Sequence, residues 1–279
     1  MKLATVRTAD HSTRAVRVDG DSLVEVGFAD VGALLRSGSD ALERAARATG
    51  ATYALGGADF APVVLDPGKI VCVGVNYADH IAEMGREAPE FPTLFAKFTD
   101  ALVGARDAIV LPAVSAMVDW EAELAVVIGR TVRHASPTEA AAGIAGFTVA
   151  NDISMRDFQN RTLQWLQGKT FEHATPVGPW MVTPDEVGGT APDLEITCEV
   201  DGVSRQRSRT SLLVFGPAAI VAYLSDVITL RPGDLILTGT PGGVGHAMDP
   251  PVYLRPGQVV RTAIEGIGEL VNECIPEMP

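Results

Sequence analysis

The sequence predicts a strand-rich α+β fold, and three observations carry that prediction. Short apolar runs outnumber stretches of helical period, hairpin-type turn dipeptides separate several of them, and residues 124–128 are apolar without a break. An uninterrupted run of that length reads as a strand buried on both faces. Many strands with few helices favour curved sheets over a doubly wound arrangement.

Taken in order, Val16-Arg17-Val18 and Leu23-Val24-Glu25-Val26 flank Asp19-Gly20, a hairpin signal. A helix is predicted over 40–48, where Asp40 and Glu43 have capping-box spacing and Gly50 supplies a stop. Residues 61–68, with Pro62, Pro67 and Gly68, read as a linker. The division is therefore a small N-terminal α+β domain over 1–65 and a larger domain over 66–279. In the larger part, residues 69–75 form an apolar strand. Asn76 is placed to cap a short helix running to about Met84, with Gly85 as its stop. Residues 147–150 form a strand. Leu194, Ile196, Cys198 and Val200 alternate with polar residues up to the turn Asp201-Gly202. Pro217 opens a helix reaching Leu224. Strands over 235–237, 259–264 and 270–275 follow, with a Gly-rich loop over 239–245.

The 279 residues are 47% hydrophobic and 20% charged, with a formal charge of −13. Such an acidic chain repels nucleic acid and anionic membranes, and neither is expected as a partner. No apolar run approaches membrane-spanning length. The start, Met1-Lys2-Leu3-Ala4-Thr5, lacks a signal-peptide core, and three scattered cysteines suit a reducing compartment. The expectation is a cytoplasmic protein whose Cys72 and Cys198 are inert buried thiols.

The most informative stretch is Asp119-Trp120-Glu121-Ala122-Glu123-Leu124. Strand side chains alternate faces, so Asp119, Glu121 and Glu123 point one way and Trp120, Ala122 and Leu124 the other. Acids running into a buried strand must be neutralised. A hard divalent cation does this, and oxygen ligands suit Mg²⁺ or Mn²⁺. The alternative is a solvated strand face laced with salt bridges. Asp152, directly after the 147–150 strand, is a third candidate ligand or the cap of a following helix. On the short helix after Asn76, His80 and Glu83 stand one turn apart. A carboxylate that orients a histidine makes a general base, although an incidental surface ion pair is the better local reading of an isolated H-x-x-E. There is no G-x-S-x-G elbow and no phosphate-binding G-x-x-x-x-G-K-[ST], so Gly242, Gly243 and Gly245 are either a tight turn or a set of backbone donors for a carboxylate.

The ordered set of these motifs resembles the fumarylacetoacetate hydrolase superfamily. It runs from Lys69-Ile70-Val71-Cys72-Val73-Gly74-Val75-Asn76-Tyr77, with His80 and Glu83, through Asp119-Trp120-Glu121-Ala122-Glu123-Leu124. It continues with Asn151-Asp152-Ile153-Ser154-Met155-Arg156-Asp157, Gln159 and Gly168-Lys169-Thr170-Phe171, then Gly178-Pro179-Trp180, Gly233-Asp234 and Thr238-Gly239-Thr240-Pro241. Glu172-His173 departs from the residues many relatives carry there.

The resemblance implies a mixed β-roll catalytic domain, a variable N-terminal domain and a homodimer. It places Mg²⁺ or Mn²⁺ on Glu121, Glu123 and Asp152 and a water-activating dyad on His80 and Glu83. It assigns Lys169 to the catalytic set and Gln159, Thr240 and Arg156 to substrate binding. The implied substrate is a small 2-keto acid, first an acylpyruvate such as fumarylpyruvate cleaved hydrolytically between C3 and C4. Oxaloacetate decarboxylation and isomerisation of a hydroxydienedioate remain open on the same site, as does a keto-acid-binding protein without turnover.

Overall fold

The structure, a computed structural model, describes residues 1–83 and 87–278 and, within them, all side chains but those of 80, 82 and 83. Among the described residues, strands dominate and form one large and two smaller sheets. The large sheet runs in the order Thr52–Ala54, Ser22–Glu25, Thr13–Asp19, Lys2–Arg7, Thr175–Val182, Ile144–Asn151, Ala122–Ile128, Leu235–Leu237, Ile70–Gly74 and Thr93–Lys97. After Lys97 the chain turns and adds Leu102–Val103 alongside Thr175 and Pro176, so the sheet curls back on itself. A five-stranded sheet packs against it, in the order Val203–Arg209, Glu195–Val200, Val259–Ile264, Gly268–Pro276 and Ile109–Leu111. The strand-rich α+β class predicted from the sequence is the observed one.

The central strand Ala122–Ile128 is buried throughout, and its two faces feed two different cores. Leu124, Val126 and Ile128 pack with Phe147, Ile196, Cys198 and Val260 between the sheets. Ala125 and Val127 pack with Ile70, Cys72, Leu235 and Leu237, under a lid that includes Leu34 and Leu35 of the helix Val31–Arg36. A strand apolar on both sides must be covered on both sides. The N-terminal strands continue the large sheet, with Leu3 opposite Met181. All three cysteines are buried and free, and no helix among the described residues is long and apolar enough to cross a membrane.

Three local expectations differ from the structure. The strand expected to run unbroken through 119–128 is interrupted: Val118–Asp119 pairs with Ser154–Met155 in its own two-stranded sheet before Ala122 joins the large one. Asn76 does not serve as the cap foreseen for the helix Ala78–Glu83. Its side-chain amide donates to the carbonyls of Phe215 and Thr238 and accepts from the Phe215 N–H at 2.8 Å. That clamp holds Val75, a β-branched residue at a left-handed φ of 56°, a conformation costing on the order of 1–3 kcal/mol. The Gly-rich loop does present backbone donors to a carboxylate, but the carboxylate is the protein's own Asp119. It accepts from Gly245 N at 2.7 Å and His246 N at 3.0 Å.

Candidate metal and substrate site

Strand register brings the acids together. Glu123 lies opposite Ala150 and Ala122 opposite Asn151, so the next step places Glu121 beside Asp152. The Asp152 N–H donates to the Glu121 carbonyl at 2.8 Å. Facing residues of an antiparallel pair point to the same side, and positions two apart share a face. Glu121, Glu123 and Asp152 therefore converge, each offering a carboxylate oxygen within 4.8 Å of the others, and all three are buried.

Two buried lysines and an arginine surround them. Lys169 Nζ donates to Glu121 Oε2 at 2.6 Å and to Asp152 Oδ2 at 2.8 Å. Arg156 reaches Glu121 Oε1 at 2.7 Å, Asp119 Oδ2 through Nε at 2.8 Å and Gln159 Oε1 at 3.0 Å. Lys97, absent from the sequence-derived site, is buried with its Nζ 2.7 Å from Asp152 Oδ1, and donates to Thr175 Oγ1 and to the Lys169 carbonyl. The contact with Asp152 is not aligned as a hydrogen bond, so Oδ1 has a neighbouring charge but no hydrogen-bond donor. Burial opposes ionisation of Glu121, yet Lys169 and Arg156 outweigh it and bring its pKa down to about 2. Glu123 goes the other way. Burial, then repulsion from Asp152 and Glu121, raise its pKa well above the carboxylate range, and the Gly239 N–H at 2.7 Å offsets little of this.

These observations test whether the residues fit a cation. Three buried oxygen donors converge, one oxygen lacks a hydrogen bond, and one carboxylate is pushed toward its neutral form by burial and by the other two. A hard divalent ion removes all three penalties, and an all-carboxylate set matches Mg²⁺, Mn²⁺ or a similar ion better than a soft one. The acids can hold a divalent metal.

Glu121 and Glu123 form part of the lining of a cavity of about 470 Å³, together with Val73, Val75, Phe95, Trp165, Thr240 and His246. Two grooves of about 620 and 640 Å³ lie elsewhere, and neither includes the acids. Gln159, Arg156, Lys169 and Thr240, all named from the sequence, lie on this cavity. Gln206 donates to Thr240 Oγ1 at 2.8 Å. Arg156 is committed to protein acceptors here, which makes it a holder of Glu121 as much as a group facing ligand. The positions of His80 and Glu83 lie on the helix Ala78–Glu83, but their side chains fall outside the described residues. His246 and Trp165 were missed by sequence reasoning. Neither sits in a motif, and only the loop geometry carries them to the cavity.

Comparison with known proteins places this geometry in context. The family model described as fumarylacetoacetate (FAA) hydrolase C-terminal matches residues 69–275. A Rattus norvegicus protein named oxaloacetate tautomerase Fahd2a, mitochondrial, is 44% identical over 245 residues, covering 86% of this chain and 78% of that protein. Among solved structures, 5-carboxymethyl-2-hydroxymuconate delta-isomerase from Mycobacterium smegmatis superposes with a TM-score of 0.82 at 36% identity, covering 100% of both chains. A fumarylacetoacetate hydrolase from Exiguobacterium antarcticum gives a TM-score of 0.88 at 32% identity, over 99% of this chain and 100% of that one.

Proposed function

The chain belongs to the fumarylacetoacetate hydrolase family, and from that membership we propose that it is a divalent-metal enzyme interconverting the keto and enol forms of a small 2-keto diacid such as oxaloacetate. The observation that carries this reading is the convergence of Glu121, Glu123 and Asp152 beside Lys169, with Glu121, Glu123 and Lys169 on the wall of one cavity. The likeness to an oxaloacetate tautomerase supports the choice of substrate.

A cation on the three carboxylates, Mg²⁺ or Mn²⁺, would polarise the 2-keto group as a Lewis acid. The chain's own groups then divide the remaining work. In enolisation a proton leaves C3, the C2–C3 bond becomes double and the 2-oxygen gains a proton. His80 is the proposed base at C3, the role the family resemblance implies for it together with Glu83. Lys169 has two of its three N–H donors on Glu121 and Asp152, and the third is available to steady the 2-oxygen as charge builds there. Burial works against its charge, but Asp152 and Glu121 outweigh that and raise its pKa, so it acts as a donor and not as a base. Phe95 and Trp165, packed edge to face, form an apolar part of the cavity lining.

The test is the exchange of C3 hydrogens of oxaloacetate into deuterated water, followed by NMR beside the ultraviolet absorbance of the enol. The enzyme should speed both without speeding release of pyruvate and CO₂. His80→Ala should slow exchange about 10²-fold, the lower range for general acid–base help. No acceleration by wild-type enzyme would remove this reading.

A second reading, hydrolysis of an acylpyruvate, is favoured by the size of the cavity. About 470 Å³ leaves room beyond a four-carbon acid for a longer acyl chain. The likeness to a fumarylacetoacetate hydrolase points the same way. Here His80 takes a proton from water, the hydroxide adds at C4, the C3–C4 bond breaks to release a carboxylic acid, and the proton returns to C3 of the leaving enolate to give pyruvate. Reaction in ¹⁸O-labelled water should label the released carboxylic acid.

A further inference from the structure

Resting on the keto-diacid reading above, we propose that His246, held by Tyr253, receives the distal carboxylate of the substrate and so selects diacids over monocarboxylic keto acids. His246 lines the same cavity as Glu121, Glu123 and Lys169. The fixed cations on that lining are already engaged: Arg156 with Asp119, Glu121 and Gln159, and Lys169 with Glu121 and Asp152. The His246 ring has a different situation. Its Nδ1 meets the Tyr253 hydroxyl at 2.9 Å, which leaves Nε2 as the ring nitrogen for a ligand.

Burial, then the nearby Asp119, push the Tyr253 hydroxyl above its usual range. In the proposed binding mode the hydroxyl donates to Nδ1, which leaves the ring proton on Nε2 as a donor suited to a carboxylate.

The backbone under the ring is fixed relative to the acids. Asp119 is fully buried and takes the N–H groups of Gly245 and His246, while Arg156 bridges Asp119 to Glu121. A Cβ added at Gly245 would run into the Val252 carbonyl and the Trp120 ring, so the turn presenting His246 demands glycine. The distance from the carboxylate cluster to the imidazole is thereby set by a short chain of ion pairs and hydrogen bonds.

The charges at this place leave the second carboxylate to directed hydrogen bonds. With a divalent ion holding Glu123 ionised, Glu121, Glu123, Asp152 and Asp119 would stand as four anions against Lys97, Lys169, Arg156 and the ion. That is an excess of one positive charge, which a single substrate carboxylate balances. The second carboxylate of a diacid finds no unmatched fixed charge and must be held by directed hydrogen bonds. His246 Nε2 supplies one, and the Gln159 amide nitrogen, whose oxygen is occupied by Arg156, is placed to supply another.

The experiment compares oxaloacetate with 2-oxobutyrate, which has a methyl group in place of the distal carboxylate. It reads C3 exchange kinetics and calorimetric binding to the Mn²⁺-loaded protein. His246→Ala should raise KM and Kd for oxaloacetate about tenfold, the size of one lost hydrogen bond to a charged group. The exchange kcat and both constants for 2-oxobutyrate should stay within about twofold of wild type. His246→Gln, which keeps a donor, should recover most of the loss, and Tyr253→Phe should show a smaller effect of the same kind. Equal losses for both acids, or an unchanged Kd for oxaloacetate, would overturn the assignment. If the wild type binds oxaloacetate and discriminates through His246 but exchanges no C3 hydrogen, the inference stands and the proposed reaction falls.

Discussion

Asp152→Asn is expected to cost at least about 10³-fold in activity, because it removes the carboxylate on which the cation site is centred and with it several kcal/mol of charge stabilisation in the reaction. Asp152 is the residue opposite Glu121 in register, and it receives Lys169 on one oxygen and has Lys97 against the other. An amide there leaves two buried ammonium groups facing a neutral partner, so a divalent ion meets less negative charge and an added repulsion. Mn²⁺ titration by calorimetry should show the lost affinity, and Glu121→Gln should follow the same pattern. Chelation of the wild type should abolish activity, and Mg²⁺ or Mn²⁺ should restore it. A metal-stripped enzyme with full activity, its metal content checked by elemental analysis, would end the metal reading.

The acids were legible because period-two alternation is a local rule. Once Glu121 and Glu123 share a strand face, they must point together, and the apolar run after them says that the face is buried. From the local pattern Asp152 was legible as the residue at a strand end, a ligand or a cap, and the family resemblance added it to the metal-ligand set. Its place beside Glu121 is a matter of register, which depends on pairing between strands distant in sequence. Lys97 shows where such reasoning stops. In Thr93–Lys97 it follows Phe95-Ala96 at the end of a partly exposed strand, and nothing local distinguishes it from a solvated lysine. Only curling of the sheet carries its amine to Asp152. The break between Asp119 and Ala122 escaped notice for a related reason. Asp119 is drawn out of the large sheet by backbone donors of the 243–248 turn and by Arg156, partners more than thirty residues away. His246 reaches the cavity through the same long-range contacts, so its role is set by tertiary structure and leaves no mark in its immediate neighbours.

Lys97→Met is expected to make the stability of the fold depend on a bound cation. The Lys97 and Asp152 side chains are fully buried. Removing one member of a buried ion pair typically costs about 3–5 kcal/mol, and Asp152 would keep Lys169 as its one cationic partner. In this site the cost is compounded by Glu121, whose negative charge lies close to Asp152. Methionine fills much of the lysine stem's volume, so lost packing contributes less than lost charge. The thermal midpoint in chelator should therefore fall steeply relative to wild type. Two effects on metal binding oppose each other. Losing a cation deepens the negative potential, which favours a divalent ion, while losing a contact to Asp152 Oδ1 loosens that ligand. Lys169 still holds Oδ2 at 2.8 Å and the Asp152 N–H still pins the backbone to Glu121, so orientation is largely kept and the charge effect wins. Added Mn²⁺ should then raise the melting temperature of the variant by more than it raises that of the wild type, recovering a large part of the deficit. Differential scanning calorimetry with and without metal reads this directly. A variant as stable as wild type in chelator would show that Lys97 is not compensating the acids, and an equal metal-induced rise in both proteins would show that its charge does not reach the site.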